Sequence, residues 1–333
     1  MSIDQQIEQR VQAAKKKRVA LLAALLLVLA LIIVALAYYI LRQKPITTII
    51  SGSPKPVYMR SIDGNFDWPL GVAVNKDGSR VYVVDSNNRL IKAYNSAGKV
   101  LLSFGKVLNE KSGGEGFINP LYIAVAPNGE VYVTDRSTGT VSIYGLDGKY
   151  KSQFVPKTDE KDFAWSPLGI AIDASSNVYV SDATKGQHRI LVFDKNGNLK
   201  LKFGKEGNAQ GDFEYPNSLT VDKKGNIYVS DSNNGRIQVF DKTGKFKQLI
   251  GKSGKNSVGH PVGIAIDGNN RLNVVDTFGH NIMVYDLTGK YLYKFGEFGT
   301  KDGQFMFPMG LAAYGNTVYV VDREGKRLQV WAY

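Results

Sequence analysis

YPNSLTVDKKGNIYVSDSNNGRIQVFDKTGKFKQLIG, residues Tyr215 to Gly251, contains four short runs rich in β-branched and aromatic residues: NSLTV, NIYVS, RIQVF and FKQLI. Gly, Asn, Asp and Lys-Gly punctuation separates them, and these residues accept the positive φ of tight turns. The pattern predicts a four-stranded antiparallel meander. A single meander leaves one face of its sheet uncovered, so it needs copies of itself to pack against.

The copies are present. A proline opens each at Pro69, Pro120, Pro167, Pro216, Pro261 and Pro308, and an aspartate ends each second strand at Asp85, Asp135, Asp182, Asp231, Asp276 and Asp322. A four-stranded repeat of roughly 40 to 50 residues is the signature of a β-propeller. The expected fold is all-β, a six-bladed β-propeller.

PLGVAVNKDGSRVYVVDSNNRLIKAY, PLGIAIDASSNVYVSDATKGQHRILVFD and PVGIAIDGNNRLNVVDTFGHNIMVYD resemble NHL repeats. The resemblance covers roughly residues 56 to 333. It departs at Tyr122 and Ser218, which stand where the repeat has Gly, and at Thr140 and Asn281, which stand where it has the Arg opening the third strand.

Upstream of the repeats, residues 1–18 are expected to form a cytoplasmic juxtamembrane segment, residues 19–41 a transmembrane helix, residues 42–55 a tether, and residues 56–333 the propeller. Val19 to Leu41 carries no charge, and at 1.5 Å per residue it spans a bilayer core. Arg10 and Lys15 to Arg18 precede it, whereas Arg42 and Lys44 follow. The positive-inside rule therefore leaves the N-terminus in the cytoplasm and exports the propeller at the cell membrane. Ala35-Leu36-Ala37 is similar to a signal-peptidase site, so secretion after cleavage is the alternative. The layout resembles the external sensor domains of some bacterial receptor kinases. The chain has no cysteine, which excludes disulfides and Cys-ligated zinc modules.

The last repeat supplies three strands, near Gly310 to Tyr314, Val318 to Val321 and Arg327 to Tyr333. PVYMRSIDGNFDWPLG aligns with YLYKFGEFGTKDGQFMFPMG. Val57 to Ser61 is thus expected to complete the sixth blade, a velcro closure by an N-terminal strand that covers both open edges.

Loops on a rigid scaffold carry function, and the loops at the proline end of the blades are rich in aromatic residues. Trp68, Tyr215, His260 and Phe307 precede blade-opening prolines, Asn217 follows one, and Trp165 is close by. Arg89, Arg189, Arg236 and Arg327 are read as opening third strands. Exposed aromatics interleaved with Arg are the residue types of binding hot spots, so these ten are the candidate ligand-binding residues. The partner expected there is a protein or peptide at the face distal to the membrane, with Val19 to Leu41 contacting lipid. Phe117, Phe213 and Phe305 are expected to pack between blades. Each repeated Asp is expected to accept hydrogen bonds from the backbone N–H groups of the turn that follows it.

Catalysis is not expected. NHL-like amidoglycolate lyases place metal-binding His after the blade-opening Pro, and none of these positions is His here. His188, His260 and His280 lie in loops. Lactonase-like propellers use axial carboxylates, whereas Asn217 near the axis has no acidic companion on its ring. No cofactor, no metal site and no nucleic-acid partner are expected. The alternatives are a lyase- or lactonase-like enzyme or a cell-wall glycan binder.

Overall fold

A computed structural model of the chain describes residues 15–16, 55–108, 115–254 and 256–333. The transmembrane reading of residues 19–41, and the tether up to Pro54, lie outside the described residues. Ser53–Tyr333 forms one compact unit. Its described residues are strands and turns, 24 strands in six four-stranded sheets.

The first strand, β1 (Val57–Ile62), precedes the repeats. Blade 1 is β2 (Pro69–Val74), β3 (Arg80–Asp85), β4 (Leu90–Asn95) and β5 (Val100–Phe104). Blade 2 is β6 (Pro120–Val125), β7 (Val131–Asp135), β8 (Thr140–Tyr144) and β9 (Tyr150–Gln153). Blade 3 is β10 (Pro167–Ile172), β11 (Val178–Asp182), β12 (Arg189–Phe193) and β13 (Leu199–Phe203). Blade 4, the stretch quoted first, is β14 (Pro216–Val221), β15 (Ile227–Asp231), β16 (Arg236–Phe240) and β17 (Phe246–Ile250). Blade 5 is β18 (Pro261–Ile266), β19 (Arg271–Asp276), β20 (Asn281–Asp286) and β21 (Tyr291–Phe295). Blade 6 has β22 (Pro308–Tyr314), β23 (Thr317–Asp322) and β24 (Arg327–Ala332), and β1 pairs antiparallel with β24 as its fourth strand.

The innermost strands neighbour one another around the ring, and β22 returns to β2. Apolar clusters fill the gaps between blades. That between blades 6 and 1 joins Ala312, Tyr319 and Val321 to Val72, Val81 and Tyr94. Phe117, Phe213 and Phe305 are fully buried and pack on Tyr144, Phe240 and Trp331 respectively.

Glycine allows the close approach near the axis. A Cβ on Gly169 would stand 2.6 Å from the Asn217 carbonyl oxygen and 2.8 Å from the Ser218 Cα. Gly71 abuts Tyr122 in the same way. Gly263 and Gly310 approach the backbones of Met309–Gly310 and Leu70–Gly71 in the same way.

Antiparallel pairing sorts the loops into two rims. The blade-opening prolines, the ends of the second strands and the starts of the third share one rim, called the mouth here. Each proline pairs with the Asp of its second strand, as Pro216 does with Asp231, and the ladder is irregular directly after it. Proline suits the first residue of a strand because it has no N–H to donate. The opposite rim consists largely of Asx turns, such as Asp222 accepting from the Lys224 and Asn226 N–H groups. Val57 pairs with Ala332, so β1 starts from that opposite rim.

Candidate functional site at the mouth of the propeller

At the mouth, each repeated Asp meets the first residue of the third strand across the ladder. In blade 4 this residue is Arg236, 1% exposed, whose Nε donates to Asp231 Oδ2 at 2.7 Å. Its other nitrogens donate to the carbonyls of Asn208, Ala209 and Asp212 in the preceding long loop. Arg189 and Arg327 repeat this with Asp182 and Asp322. Arg189 adds Glu160 and the Ala164 carbonyl, and Arg327 adds the carbonyls of Lys301 and Gln304. The structure therefore moves Arg189, Arg236 and Arg327 from the ligand-binding set to the interior, where their donors fasten the long loops.

Arg89 differs. The third strand of blade 1 begins at Leu90, and Arg89 holds φ of 57°, matching Gly235 in blade 4 at 60°. DSNNR lacks the extra glycine of DSNNGR, so Arg89 takes the left-handed position itself and its Nε reaches the Ile118 carbonyl. Lys92, two residues along the same strand face as Leu90, pairs with Asp85 instead. Arg89 thus does not open its strand.

The aspartates are structural, with a different main donor from the one expected. The loop before the proline supplies N–H groups in all six blades: Asp67, Glu214 and Met306 in blades 1, 4 and 6, and Asn119, Ser166 and His260 in blades 2, 3 and 5. The following turn adds N–H donors to Asp135, Asp182 and Asp276. Burial raises the pKa of Asp231 and of Asp322, against the hydrogen bonds and arginine that favour their charged forms.

In blades 1, 4 and 6 the residue directly before the proline is left-handed. Trp68, Tyr215 and Phe307 hold φ of 56°, 54° and 57°. A bulky residue there, directly before proline, occupies a costly backbone region, and such strain clusters at functional positions.

Around blades 5, 6 and 1, Trp68 and Phe307 join a continuous aromatic arc. His260 stacks on Phe278 at 4.6 Å, and Phe278 lies 6.4 Å from Phe307. His280 packs on Phe307 at 4.7 Å and on Phe298 at 4.8 Å, and its Nδ1 accepts the Phe307 N–H. The Arg323 guanidinium lies 4.4 Å from the Trp68 ring and 5.4 Å from Phe307. Phe278 is 64% exposed, Phe298 63% and Trp68 42%. Burial lowers the pKa of His260.

The remaining candidates lie elsewhere. Tyr215 belongs to a second group with Arg136 and His188. Trp165 packs among Phe154, Phe163 and Phe193, and its Nε1 donates to the Gly139 carbonyl. Asn217 is held by Ser232 near the axis.

Sequence reading missed Arg136 and Arg323, although a local signal marks them. The residue after the repeated Asp is Ser86, Ala183, Ser232 or Thr277 in four blades, and Ser86, Ser232 and Thr277 bond the next blade's proline carbonyl. Arginine in blades 2 and 6 breaks that pattern and faces the mouth. Among the described residues, no group of three or more His, Asp or Glu side chains is placed to hold a metal ion.

A family described as a 6-bladed beta-propeller matches residues 223–296. Peptidyl-glycine alpha-amidating monooxygenase B of Xenopus laevis is 31% identical over 202 residues, 57% of this chain and 21% of that protein. The probable peptidyl-alpha-hydroxyglycine alpha-amidating lyase pgal-1 of Caenorhabditis elegans is 27% identical over 51% of this chain and 54% of its own length. Human NHL repeat-containing protein 3 is 28% identical over 31% of this chain and 28% of its own. The chain therefore spans between a fifth and about half of the length of these curated relatives. A virginiamycin B lyase from Staphylococcus aureus superposes with a TM-score of 0.55 at 16% identity, over 84% of this chain and 98% of that one, a likeness of fold. The chain is a six-bladed β-propeller with NHL-repeat relatives, and its relatives and structural neighbours include lyase and monooxygenase propellers.

Proposed function

We propose that the chain is a membrane-anchored, extracytoplasmic binding module that docks a protein or peptide partner on the aromatic arc at its mouth. The observation that carries this reading is the arc itself. Three large aromatic side chains, Trp68, Phe278 and Phe298, are exposed, and His260, His280, Phe307 and Arg323 hold them in one run. Clustered exposed apolar area rimmed by polar groups marks interaction sites, and aromatic residues with Arg dominate binding hot spots. The left-handed backbone at Trp68 and Phe307 supports the same reading, because it sets their side chains apart at a cost in stability.

In this reading the segment at residues 19–41 anchors the chain, and β1 ties the anchor to blade 6 while covering the outer edge of β24. β1 itself starts on the rim opposite the mouth. Binding is preferred to catalysis because the three histidines divide between two groups, His188 apart from His260 and His280.

Proximity labelling from a tag after Tyr333, in membranes of the native host, tests this. A small reproducible set of exported or membrane proteins is expected, lost together in a Trp68→Ala, Phe278→Ala, Phe298→Ala variant that still melts cooperatively. Labelling no different from that of a bare membrane-anchor control, or unchanged in the variant, refutes the docking surface.

A further inference from the structure

A second cleft opens at the mouth on blades 2 to 4, apart from the aromatic arc. Its volume is about 590 Å³, and Arg136, Trp165, Lys185, His188, Glu206 and Tyr215 are among its lining residues. That size falls within the range of small-molecule sites.

Its charges are not used as charges are elsewhere at the mouth. Arg189, Arg236 and Arg327 have carboxylate and carbonyl partners. Among the described residues, no hydrogen bond or ion pair holds the exposed Arg136 guanidinium or the exposed Lys185 ammonium. Arg136 instead lies 5.4 Å from the Tyr215 ring. On the same ring, at 5.1 Å, packs His188. That imidazole is only 4% exposed, yet its Nδ1 has no hydrogen-bond partner. A buried polar atom without a partner is costly and calls for an explanation.

Glu206 supplies the rest of the geometry. Its Oε2 lies 3.9 Å from His188 Nδ1, too far for a hydrogen bond, and accepts the Gly186 N–H. Once a small turn of the imidazole opens Nδ1 to the cleft, two acceptors at about that separation can both be reached by one donor nitrogen about 2.8 to 3.0 Å from each. With the imidazole proton on Nε2, Nδ1 is such an acceptor. An ammonium group placed there also neutralises Glu206. Arg136 and Lys185 then remain for a carboxylate, which a guanidinium binds through two parallel hydrogen bonds.

We propose that this cleft binds a small zwitterion, an amino acid or short peptide. The carboxylate is held by Arg136 and Lys185, the ammonium by His188 and Glu206, and the body of the ligand lies against Tyr215. The site differs in place and chemistry from the docking arc and stands whether or not that arc binds a protein.

Isothermal titration calorimetry on the full chain tests it, with 4-aminobutyrate and L-alanyl-L-alanine as zwitterions of different length and acetate and methylammonium as the separate halves. At least one zwitterion is expected to bind saturably and roughly tenfold or more tightly than either half, because both ends are engaged at once. Arg136→Gln and Glu206→Gln, both at exposed ends of the cleft, should each remove that advantage, whereas Phe278→Ala in the arc should leave it intact. No saturable binding of either zwitterion at millimolar concentration overturns the proposal. So does acetate binding as tightly as the zwitterions, or zwitterion binding that survives both Gln substitutions.

Discussion

Replacing Arg236 by Met tests whether the third-strand arginines hold the propeller together. Arg236 and Asp231 are 1% and 0% exposed, and their bond is one of four that the guanidinium makes. Methionine keeps most of the packing but leaves the carboxylate buried without its cation, and removing one partner of a buried pair costs about 3–5 kcal/mol. For a unit of this size each kcal/mol lowers the melting temperature by about 2–4 °C, so a fall of roughly 6–20 °C is expected. The repeat supplies its own control. Arg89 sits at the corresponding rim with a single bond to the Ile118 carbonyl, and Arg89→Met should cost no more than about 1 kcal/mol. The loss at Arg236 also depends on pH with a definite sign. Burial already raises the Asp231 pKa, and taking away Arg236 raises it further. The cost is that of a buried charge, so it is largest where Asp231 is ionised and shrinks as acid protonates it. Thermal melts of both single variants and of Asp231→Asn combined with Arg236→Met, at mildly acidic and mildly alkaline pH, measure all of this. The double variant should recover part of the loss. Equal effects at Arg89 and Arg236, or a loss at Arg236 that deepens on acidification, would refute the reasoning.

Three further outcomes follow from the packing. Deleting Val57–Ile62 uncovers the outer edge of β24 and the Tyr58 contact on Trp331. A lower melting temperature and self-association by light scattering are expected, and an unchanged monomer would show that β1 is dispensable. Gly310→Ala drives a methyl group against the Leu70 carbonyl where blade 6 meets blade 1; a loss of about 1–3 kcal/mol is expected in denaturant unfolding, and a neutral result would mean that the ring gives way there. Burial lowers the His260 pKa below its ordinary value of 6.5, so the stability it supports is complete above that value and declines as the pH falls through it toward the folded value. His260→Asn should flatten that part of the pH–melting curve, and a curve identical to that of the parent chain would assign the loss to other groups.

The sequence by itself determined the architecture of the repeats. Strand runs, turn residues and the Pro and Asp periods are local features, so six blades were legible from residue 69 onward, with the fourth strand of the last one upstream at Val57, as were the packing of Phe117, Phe213 and Phe305 and a structural role for the aspartates. The site was legible only in part. Trp68, His260 and Phe307 were identified from their positions beside prolines, but nothing local tells a buried arginine from an exposed one. Arg236 is spent inside because its strand register puts it opposite Asp231, while Arg89 is displaced because its turn lacks a glycine. Tertiary structure alone brought Trp68 beneath Arg323, and Arg136 beside Tyr215 and His188. Those contacts join residues far apart in the chain, and they exist because closing the ring puts blade 6 against blade 1 and places loops of successive blades around one mouth.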